Sequence, residues 1–397
     1  MVIFSVIGIA LIALLRQSTS FLEKGQAGSE IQDVLENADR LFADDFANVY
    51  VKPASLEGVP DVRFLCDRVA WDTDGDGVND TWAPRLSFVR SVAGEGADPI
   101  LRQAGAKAGA SGVVDGQDDT KEAEDGDLRA AGGKGEVTFV LVPDRKAKDD
   151  EKAEVPSLMT LYRGARMPVG GGAGQSFLPL DPFSERRTPG SRMGITLRQE
   201  CEERLRPVQT GVLYLSFGFW SRHVKPEAAR LVSGGRLNDE TPPDRGGGGL
   251  SLTWDSTRAI LEKGSEPGQF FLGKGAGSLA DPVDDVFPSR IRMTMVVDRV
   301  GRDAAVGELT RSIGPEDTNI PVDNARFAPG GDPAGKFIKI GREWIQWTER
   351  DSRGFVAEKR GARGTRREAH DAGSTVRAGA TLIREYPVPA NREDWND

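Results

Sequence analysis

Cysteine and histidine are scarce in this chain of 397 residues, which contains two of each. Two cysteines, Cys66 and Cys201, do not make a disulfide framework, so each is interpreted as a small buried hydrophobic residue, with one disulfide as the alternative. His223 and His370 have no cysteine or paired carboxylate at metal-ligand spacing. A lone histidine of this kind indicates a hydrogen-bonded turn residue at His370 rather than a metal ligand or a catalytic base.

Enzyme motifs are missing as well. The chain has no GxSxG nucleophile elbow, no GxxxxGK[ST] phosphate loop, no HExxH zinc motif and no CxxC pair. Gly246–Gly249 precedes a predicted strand rather than a helix, so it does not form a phosphate cradle. The sequence therefore predicts a non-enzymatic protein without catalytic or cofactor-binding residues, and an unrecognised hydrolase is the alternative.

Positive charge is in deficit, since 52 lysines and arginines face 61 aspartates and glutamates and give a net charge of −9. This acidic balance argues against a general nucleic-acid-binding protein. The basic run Lys359–Arg367 lies between Glu358 and Glu368, which favours a solvated turn over a nucleic-acid site. Hydrophobic residues make up 38% of the chain, enough for a core of ordinary size in more than one domain.

The apolar run that opens the chain is shorter than a membrane span. Residues 2–15 read VIFSVIGIALIALL, whereas a helix that crosses about 30 Å of hydrocarbon needs about 20 apolar residues. No helix breaker follows Arg16, and apolar residues then recur three and four positions apart, which predicts one long helix that ends near Tyr50. The stripe that packs this helix on the rest of the protein is predicted to be Ile31, Leu35, Ala38, Leu41 and Phe42.

An apolar segment joined to an amphipathic helix resembles the stem of type IV pilins and pseudopilins. VIFSVIG resembles the second half of that family's FTLLEVLVA-like segment, so the resemblance implies about ten residues before Met1, enough to complete a span. It also implies a short basic prepilin leader, whose cleavage leaves a methylated N-terminus. The alternatives are a secretory signal peptide and a buried core helix. The implied membrane and assembly residues are Val2, Ile3, Phe4, Val6, Ile7, Ile9, Leu11, Ile12, Leu14 and Leu15.

Beyond Tyr50, β-rich segments alternate with polar, glycine-rich insertions. Their order resembles the strands of the GspJ-type minor pseudopilin head, whose third strand ends in an L-x-R pattern like Leu161-Tyr162-Arg163. The alternative is another pilin-class subunit. The segments are RLSFVRSV at Arg85–Val92, EVTFVLVPD at Glu136–Asp144, SLMTLYRGAR at Ser157–Arg166, GVLYLSFGFWS at Gly211–Ser221, SLTWDS at Ser251–Ser256 and VFPSRIRMTMVVD at Val286–Asp298.

The GspJ resemblance implies a structural role. Such a subunit lies at the tip of a type II secretion pseudopilus, beside the I- and K-type minor pseudopilins, where it helps to prime assembly of the major pseudopilin on the inner-membrane platform and supports protein export. The implied location is the inner membrane, as a single-pass protein with its head in the periplasm. A membrane-tethered surface protein that adheres through its C-terminal region is the alternative.

The last hundred residues differ in character. IGREWIQWT, RGARGT and the later H-x-x-G-S-T-V run resemble a small β module of phage tail and baseplate proteins, placed at residues 306–385. The predicted fold is thus α+β, with a pilin-like helix (residues 1–50, membrane end 2–15) packed on an antiparallel β head (51–300) and followed by a small all-β domain. The head would carry disordered insertions at 94–135, 167–193 and 237–249.

WDTDGDGVND at Trp71–Asp80 has the chemistry of a calcium loop. Carboxylates stand at loop positions 1, 3, 5 and 9, a glycine occupies the sharp turn at position 6, and a backbone carbonyl is available at position 7. The twelfth position is Ala83 instead of a bidentate acid, so weak calcium binding is predicted, with a metal-free turn as the alternative. The predicted ligands are Asp72, Asp74, Asp76, Val78 and Asp80.

The calcium prediction is tested by thermal unfolding of the head, produced from about residue 26. At a Kd near ~0.1 mM, about 2 mM calcium stabilises a native-state site by roughly 2 kcal/mol, so the head melts at a higher temperature in calcium than in EGTA. Magnesium gives a smaller increase because it requires tighter octahedral geometry. Asp74→Ala with Asp76→Ala abolishes the difference, and equal melting temperatures of the wild-type head in both buffers would contradict the prediction.

Overall fold

The computed structural model describes residues 31–51, 64–73, 81–92, 133–144, 157–167, 169, 177–178, 198–221, 249–251, 254–256, 287–298, 305–323, 325, 336–363 and 365–388. Within these ranges the chain is 58% strand and 15% helical, with two helices. The prediction of an α+β fold built on a long N-terminal helix is therefore wrong, and the described fold is mostly β.

The first helix, α1, spans residues 31–47. It ends because the backbone begins to pair with a strand: Tyr50 N–H donates to Val89 O (2.8 Å), and Ser91 N–H donates to Asn48 O (2.8 Å). The Asn48 Nδ2 group also donates to Asp44 O (2.8 Å), which satisfies one of the carbonyls left open at the helix end. Residues 1–30, which include the predicted membrane segment, lie outside the described residues.

No helix in the described part of the chain is both long enough and apolar enough to cross a membrane.

The larger sheet is antiparallel and contains nine of the described strands, in the order β15-β8-β5-β4-β3-β2-β1-β7, with β6 paired to β5. A short helix, α2 (Arg198–Arg204), precedes β5. The strands are β1 (Phe64–Trp71), β2 (Thr81–Val92), β3 (Gly133–Pro143), β4 (Met159–Arg166), β5 (Arg206–Ser221), β6 (Gly249–Ser251), β7 (Trp254–Asp255), β8 (Arg290–Val297) and β15 (Ala380–Pro387).

Most residues of the three predicted insertions lie outside the described residues. Two strands, however, begin inside the ranges predicted as disordered insertions. β3 begins at Gly133 and β6 at Gly249, inside the ranges predicted as disordered. The pairing of β2 with β3 explains why β3 begins at Gly133. Val92 pairs with Gly133 and Arg90 with Gly135, so the glycine-rich residues before Glu136 are part of the strand. A glycine-rich strand end has little signal of its own, and its partner strand supplies the hydrogen bonds.

The smaller sheet contains six strands of the described C-terminal region, in the order β10-β13-β12-β11-β14-β9. Its edge strands also meet: Leu309 and Val322 form a bridge, and Thr310 N–H donates to Pro321 O (3.0 Å). We call this unit the module. Its strands are β9 (Ala305–Glu308), β10 (Asn319–Pro321), β11 (Phe337–Ile340), β12 (Glu343–Arg350), β13 (Gly354–Ala362) and β14 (Thr375–Arg377).

The module is inserted into the larger sheet rather than appended to it. β8 leads into the module and β15 leads out, and the two strands pair with each other from Val297↔Ala380 to Arg290↔Pro387. Residues 380–385, grouped with the module by sequence, thus belong to a strand of the larger sheet. Gly379 makes this return possible, since a Cβ there would lie 2.4 Å from Val297 O.

Each unit has its own hydrophobic core. The larger core includes the face of the larger sheet that α1 covers and continues on the opposite face around Phe177, Cys201 and Leu205. The smaller core fills the module around Ile320, Ile338 and Phe355. A third buried cluster joins the two units and contains Leu213, Tyr214, Val296, Phe337, Trp344 and Ala362. Because β15 carries the chain back, the module is tied to the larger sheet at both its ends.

Candidate functional site

The face of the larger sheet that receives α1 is lined by aromatic side chains. Phe42 lies with its ring centroid 4.5 Å from that of Phe139 and 5.7 Å from that of Phe217. Phe46 lies 5.7 Å from Phe88 and 5.2 Å from Tyr386, measured in the same way. Aromatic pairs in this range add about 0.5–1.5 kcal/mol each beyond the area they bury.

The predicted stripe of α1 faces this surface to different degrees. Ala38 and Phe42 belong to the core, with 7% and 0% exposure, while Leu35 and Leu41 pack against it in partly buried positions. Ile31 is also partly buried, at the first described residue of the helix. Phe46, one turn beyond Phe42, has 0% exposure and continues the same stripe.

A buried carboxylate fixes the helix to the sheet. Asp45, at 0% exposure, accepts two hydrogen bonds from Arg163 of β4, from Nε at 2.7 Å and from Nη2 at 2.8 Å. Arg90 of β2 donates to the same carboxylate and also to Asp44 at 3.1 Å. The two arginines come from different strands, so the carboxylate defines the position of α1 across the sheet.

The energetics of this cluster favour orientation over net stability. Burial of charged groups costs several kcal/mol per ion, and a bidentate arginine–carboxylate pair returns much of that cost only with good geometry. Arg163 has 1% exposure, and its guanidinium lies 6.0 Å from the Phe139 ring centroid. Loss of one of these contacts would weaken a buried network of charged hydrogen bonds, so the cluster selects one arrangement of helix and sheet.

Sequence reasoning singled out Arg163 only as part of the L-x-R resemblance and did not identify Asp45. The available signal was an aspartate at the centre of an apolar helical stripe, between Phe42 and Phe46. Charged residues are rarely fully buried unless they are paired. An acid at a core position therefore predicts a buried cation elsewhere in the chain, although not which one.

The C-terminal strand of the larger sheet also contacts α1. The Tyr386 hydroxyl of β15 donates to Asp39 at 2.6 Å, and Arg384 Nε donates to the same carboxylate at 3.2 Å. Burial, followed by the hydrogen bond to Asp39, raises the pKa of the Tyr386 hydroxyl, so it remains a donor at neutral pH. The helix is consequently bound by strands from both sides of the inserted module.

A second polar cluster brings together the glutamate, the arginine and the histidine of the module's sequence motif. Glu343, at 0% exposure, accepts hydrogen bonds from Arg360 at 2.8 and 2.7 Å, and from the backbone N–H groups of Gly361 (2.8 Å) and Glu368 (3.1 Å). His370 Nε2 lies 2.9 Å from the same carboxylate. We call this cluster the Glu343 lock.

Arg360 extends the lock to the rest of the module. Its Nη1 donates to Gly314 O and to Asp317 O, both at 2.8 Å, and its Nη2 donates to Glu368 O at 2.7 Å. The glutamate, arginine and histidine of the motif thus hold three separate loops together. His370 is hydrogen-bonded, as predicted, but it lies in a β-bridge with Ile313 rather than in a turn.

The pKa of Glu343 reflects two opposed effects. Burial raises the pKa of this carboxyl, but the hydrogen bonds from His370 and Arg360, together with the positive charge of Arg360, outweigh burial and lower it below its ordinary value. The Glu343 carboxylate is therefore ionised at neutral pH, and its charge stabilises the fold through the hydrogen bonds that it accepts.

Some side chains of the basic run Lys359–Arg367 are buried inside the fold. Arg360 and Arg363 are each 5% exposed, and Arg367 pairs with Glu316 at 2.7 Å on the surface. Only part of the positive charge in the run therefore reaches solvent.

The acidic segment predicted to bind calcium connects two paired strands. β1 and β2 pair from Phe64↔Phe88 to Trp71↔Thr81, so residues 72–80 form the connection of this hairpin. Asp72 lies at the end of β1, and Asp74, Asp76, Val78 and Asp80 lie outside the described residues. Among the described residues, no group of three or more histidine, cysteine, aspartate or glutamate side chains is placed to hold a metal ion.

Both cysteines are free thiols in buried positions, at 1% exposure for Cys66 and 0% for Cys201. This agrees with their interpretation as small hydrophobic residues. Burial, followed by the charge of Glu200, raises the pKa of the Cys201 thiol to about 12, so it is unreactive at neutral pH.

No family model, curated protein or solved structure matches this chain. The interpretation of the site therefore depends on its own geometry.

The helix anchor is tested by two neighbouring aspartates. Asp45→Asn lowers the free energy of unfolding by about 3–5 kcal/mol, because it removes the buried carboxylate that accepts two hydrogen bonds from Arg163. Asp44→Asn is the matched control, since its carboxylate is 64% exposed and shares Arg90; its effect is at most about 1 kcal/mol. Urea unfolding of the full chain measures both, and equal losses would contradict a specific role for Asp45.

The Glu343 lock predicts a defined pH dependence. A carboxyl with a lowered folded-state pKa stabilises the fold above its unfolded value, about 4.5, and this contribution is lost as pH falls through the folded value. Glu343→Gln should therefore reduce stability at neutral pH, and the difference from wild type should shrink in acid. Glu349→Gln, on the exposed end of β12, is the control. A difference in urea unfolding that stays constant down to about pH 3 would argue against the lock.

Proposed function

We propose that this chain is a non-enzymatic structural subunit, a minor pseudopilin at the tip of a type II secretion pseudopilus. The observation that carries the proposal is the attachment of α1 to the larger sheet. A subunit of a filament has to hold its head at a fixed angle to the segment that enters the filament. The Asp45 carboxylate between Arg163 and Arg90 supplies such a constraint.

The order of strands around this attachment supports the same proposal. The resemblance to the GspJ-type head includes the L-x-R pattern, and its arginine, Arg163, is the residue that binds α1. The resemblance and the buried contact are independent observations, one from pattern and one from geometry. The geometry supplies the role that we propose for this residue, which is to orient the helix on the head.

The buried polar clusters support a structural role over catalysis. Asp45 and Glu343 each have 0% exposure and are surrounded by hydrogen-bond donors from their own chain. A general acid or base must reach its substrate within hydrogen-bonding distance. Carboxylates enclosed in this way orient the backbone and do not contact a solvent-borne substrate.

In this proposal, residues 2–15 insert in the inner membrane and the described units lie in the periplasm. The partners are the I- and K-type minor pseudopilins, the major pseudopilin and the inner-membrane assembly platform. The proposal also includes weak binding of calcium to residues 72–80, which connect β1 and β2.

The second candidate function is adhesion through the module, either as another pilin-class subunit or as a membrane-tethered surface protein. The observation that favours it is the end of the β12–β13 hairpin, where residues 348–353 are all exposed. Val356 on this hairpin is 45% exposed, and its side chain is large and apolar. An insertion that presents such a hairpin away from the larger sheet is suited to contact a further partner.

Co-purification tests the pseudopilin proposal. The full chain, co-expressed with I- and K-type minor pseudopilins and extracted in detergent, is expected to elute with them as one complex. The expected loss of this complex in Asp45→Asn, with retention in Asp44→Asn, would tie assembly to the orientation of α1. A chain that elutes alone under conditions where the I- and K-type proteins bind each other would reject the proposal.

Excision of the module separates the two functions. Because Val297 pairs with Ala380, an Asn-Gly turn can join β8 directly to β15 in place of residues 298–379. Leu213 and Val296 contact the module and would be changed to threonine in this variant. A pseudopilin keeps its complex after excision, whereas an adhesin loses its surface binding; circular dichroism checks that the sheet remains folded.

A further inference from the structure

The contact between the module and the larger sheet, which we call the joint, is formed by Leu213, Tyr214, Val296, Phe337, Trp344 and Ala362. A buried lysine lies at this joint. Lys339 of β11 is 4% exposed, and its Nζ donates to two backbone carbonyls of the larger unit, Ser157 O at 2.6 Å and Leu213 O at 3.0 Å. Nζ also lies 5.7 Å from the centroid of the Trp344 ring. Within the described residues these two oxygens are its hydrogen-bond acceptors, and a neutral amine has two N–H groups to donate to them.

The surroundings of Lys339 already contain two cations. Arg363, which follows β13, and Arg377 of β14 both act on it, while the carboxyl groups are those of Asp298, after β8, and Asp144, after β3. Arg377 pairs with Asp298 at 2.5 Å. With a neutral Lys339 the two arginines balance the two carboxyl groups, whereas a charged Lys339 adds a third cation to a buried space.

Arg363 cannot move away from this space easily. Its guanidinium carbon lies 4.4 Å from the Tyr214 ring centroid, 4.2 Å from that of Phe337 and 4.3 Å from that of Trp344. Tyr214 belongs to β5 of the larger sheet, and the other two rings belong to the module. The cation is thus held by aromatic rings from both sides of the joint.

Burial, and after it the charge of Arg363, lowers the pKa of the Lys339 amine to about 7. An amine exposed by separation of the two units would return to the ordinary lysine value of about 10.4. The closed joint therefore prefers the neutral amine, and the open joint binds a proton more readily.

We propose that Lys339 makes the joint between the module and the larger sheet pH-sensitive, so that the joint is tight in mild alkali and loosens on acidification. The proposal does not depend on the protein being a pseudopilin. The open state takes up the proton, so each unit of pH above about 7 favours the closed joint about tenfold, up to about pH 10. Below about pH 7 the amine is charged in both states, and the equilibrium stops changing.

Thiol protection at the joint measures this equilibrium. Val296→Cys places a reporter in the cluster that joins the units, where the native side chain is 2% exposed. Its labelling rate in the full chain, divided by that of an unstructured thiol at the same pH, gives the fraction of open joint. Cys66 and Cys201 are buried in the other core and are distinguished from the reporter by mass spectrometry of the labelled peptides.

Between about pH 6 and about pH 9, protection of the reporter is expected to rise on the order of 100-fold. Lys339→Met removes the titrating group and is expected to make protection independent of pH. Lys359→Met, an exposed lysine of the same unit, is the control and keeps the wild-type profile. A flat profile in the parent, or the same rise in Lys339→Met, would overturn the proposal.

A direct titration keeps the proposal testable if Lys339→Met does not fold. The ¹³Cε signals of lysine in the labelled wild-type chain are followed by NMR, and Lys339→Arg identifies the signal of Lys339. One lysine that titrates near pH 7 and disappears in Lys339→Arg supports the proposal. If every lysine titrates above about pH 9, as in free peptides, the proposal is wrong.

Discussion

The buried carboxylate of Asp45 is the contact on which the larger unit depends. It lies at 0% exposure on α1 and is bound by Arg163 and Arg90 from two different strands. Apolar packing alone would allow the helix to slide or rotate, because Phe42 and Phe46 meet a broad aromatic face. A bidentate ion pair has a narrow range of geometries, and displacement of the helix would break charged hydrogen bonds in a buried site. Orientation of the helix is thus imposed by electrostatics, within a core whose stability is mostly hydrophobic.

Topology links this helix to the distant C-terminal module. The module interrupts the connection between β8 and β15, and β15 returns to place Tyr386 and Arg384 against Asp39 of α1. The joint on the other side of the sheet is formed by Lys339, Arg363 and the rings around them. A change at the joint would affect β8 and β15, the two strands on either side of the module, and β15 also contacts α1. The inserted arrangement therefore gives the two units a physical connection that an appended domain would lack.

The relation between sequence and site differs from cluster to cluster. The stripe of α1 was readable from its spacing, because a helix on a sheet buries residues three and four apart. The glutamate, arginine and histidine of the module motif were visible in sequence, but their roles were not, since Glu343 and His370 are 27 positions apart and meet only across strands. The extent of the helical region was wrong, because residues 48–50 leave the helix to pair with β2, and such pairing is a tertiary contact.

The sequence by itself determined the binary pattern: an apolar stripe at helical spacing, β-rich segments in a particular order, and a module with its own motif. These features follow from local periodicity and do not require knowledge of distant residues. Tertiary structure alone decided that the fold is mostly β, that the module lies within a β8–β15 hairpin, and which charges are buried together. Pairing of Asp45 with Arg163, 118 positions apart, depends on the register of several strands, and no local pattern encodes that register.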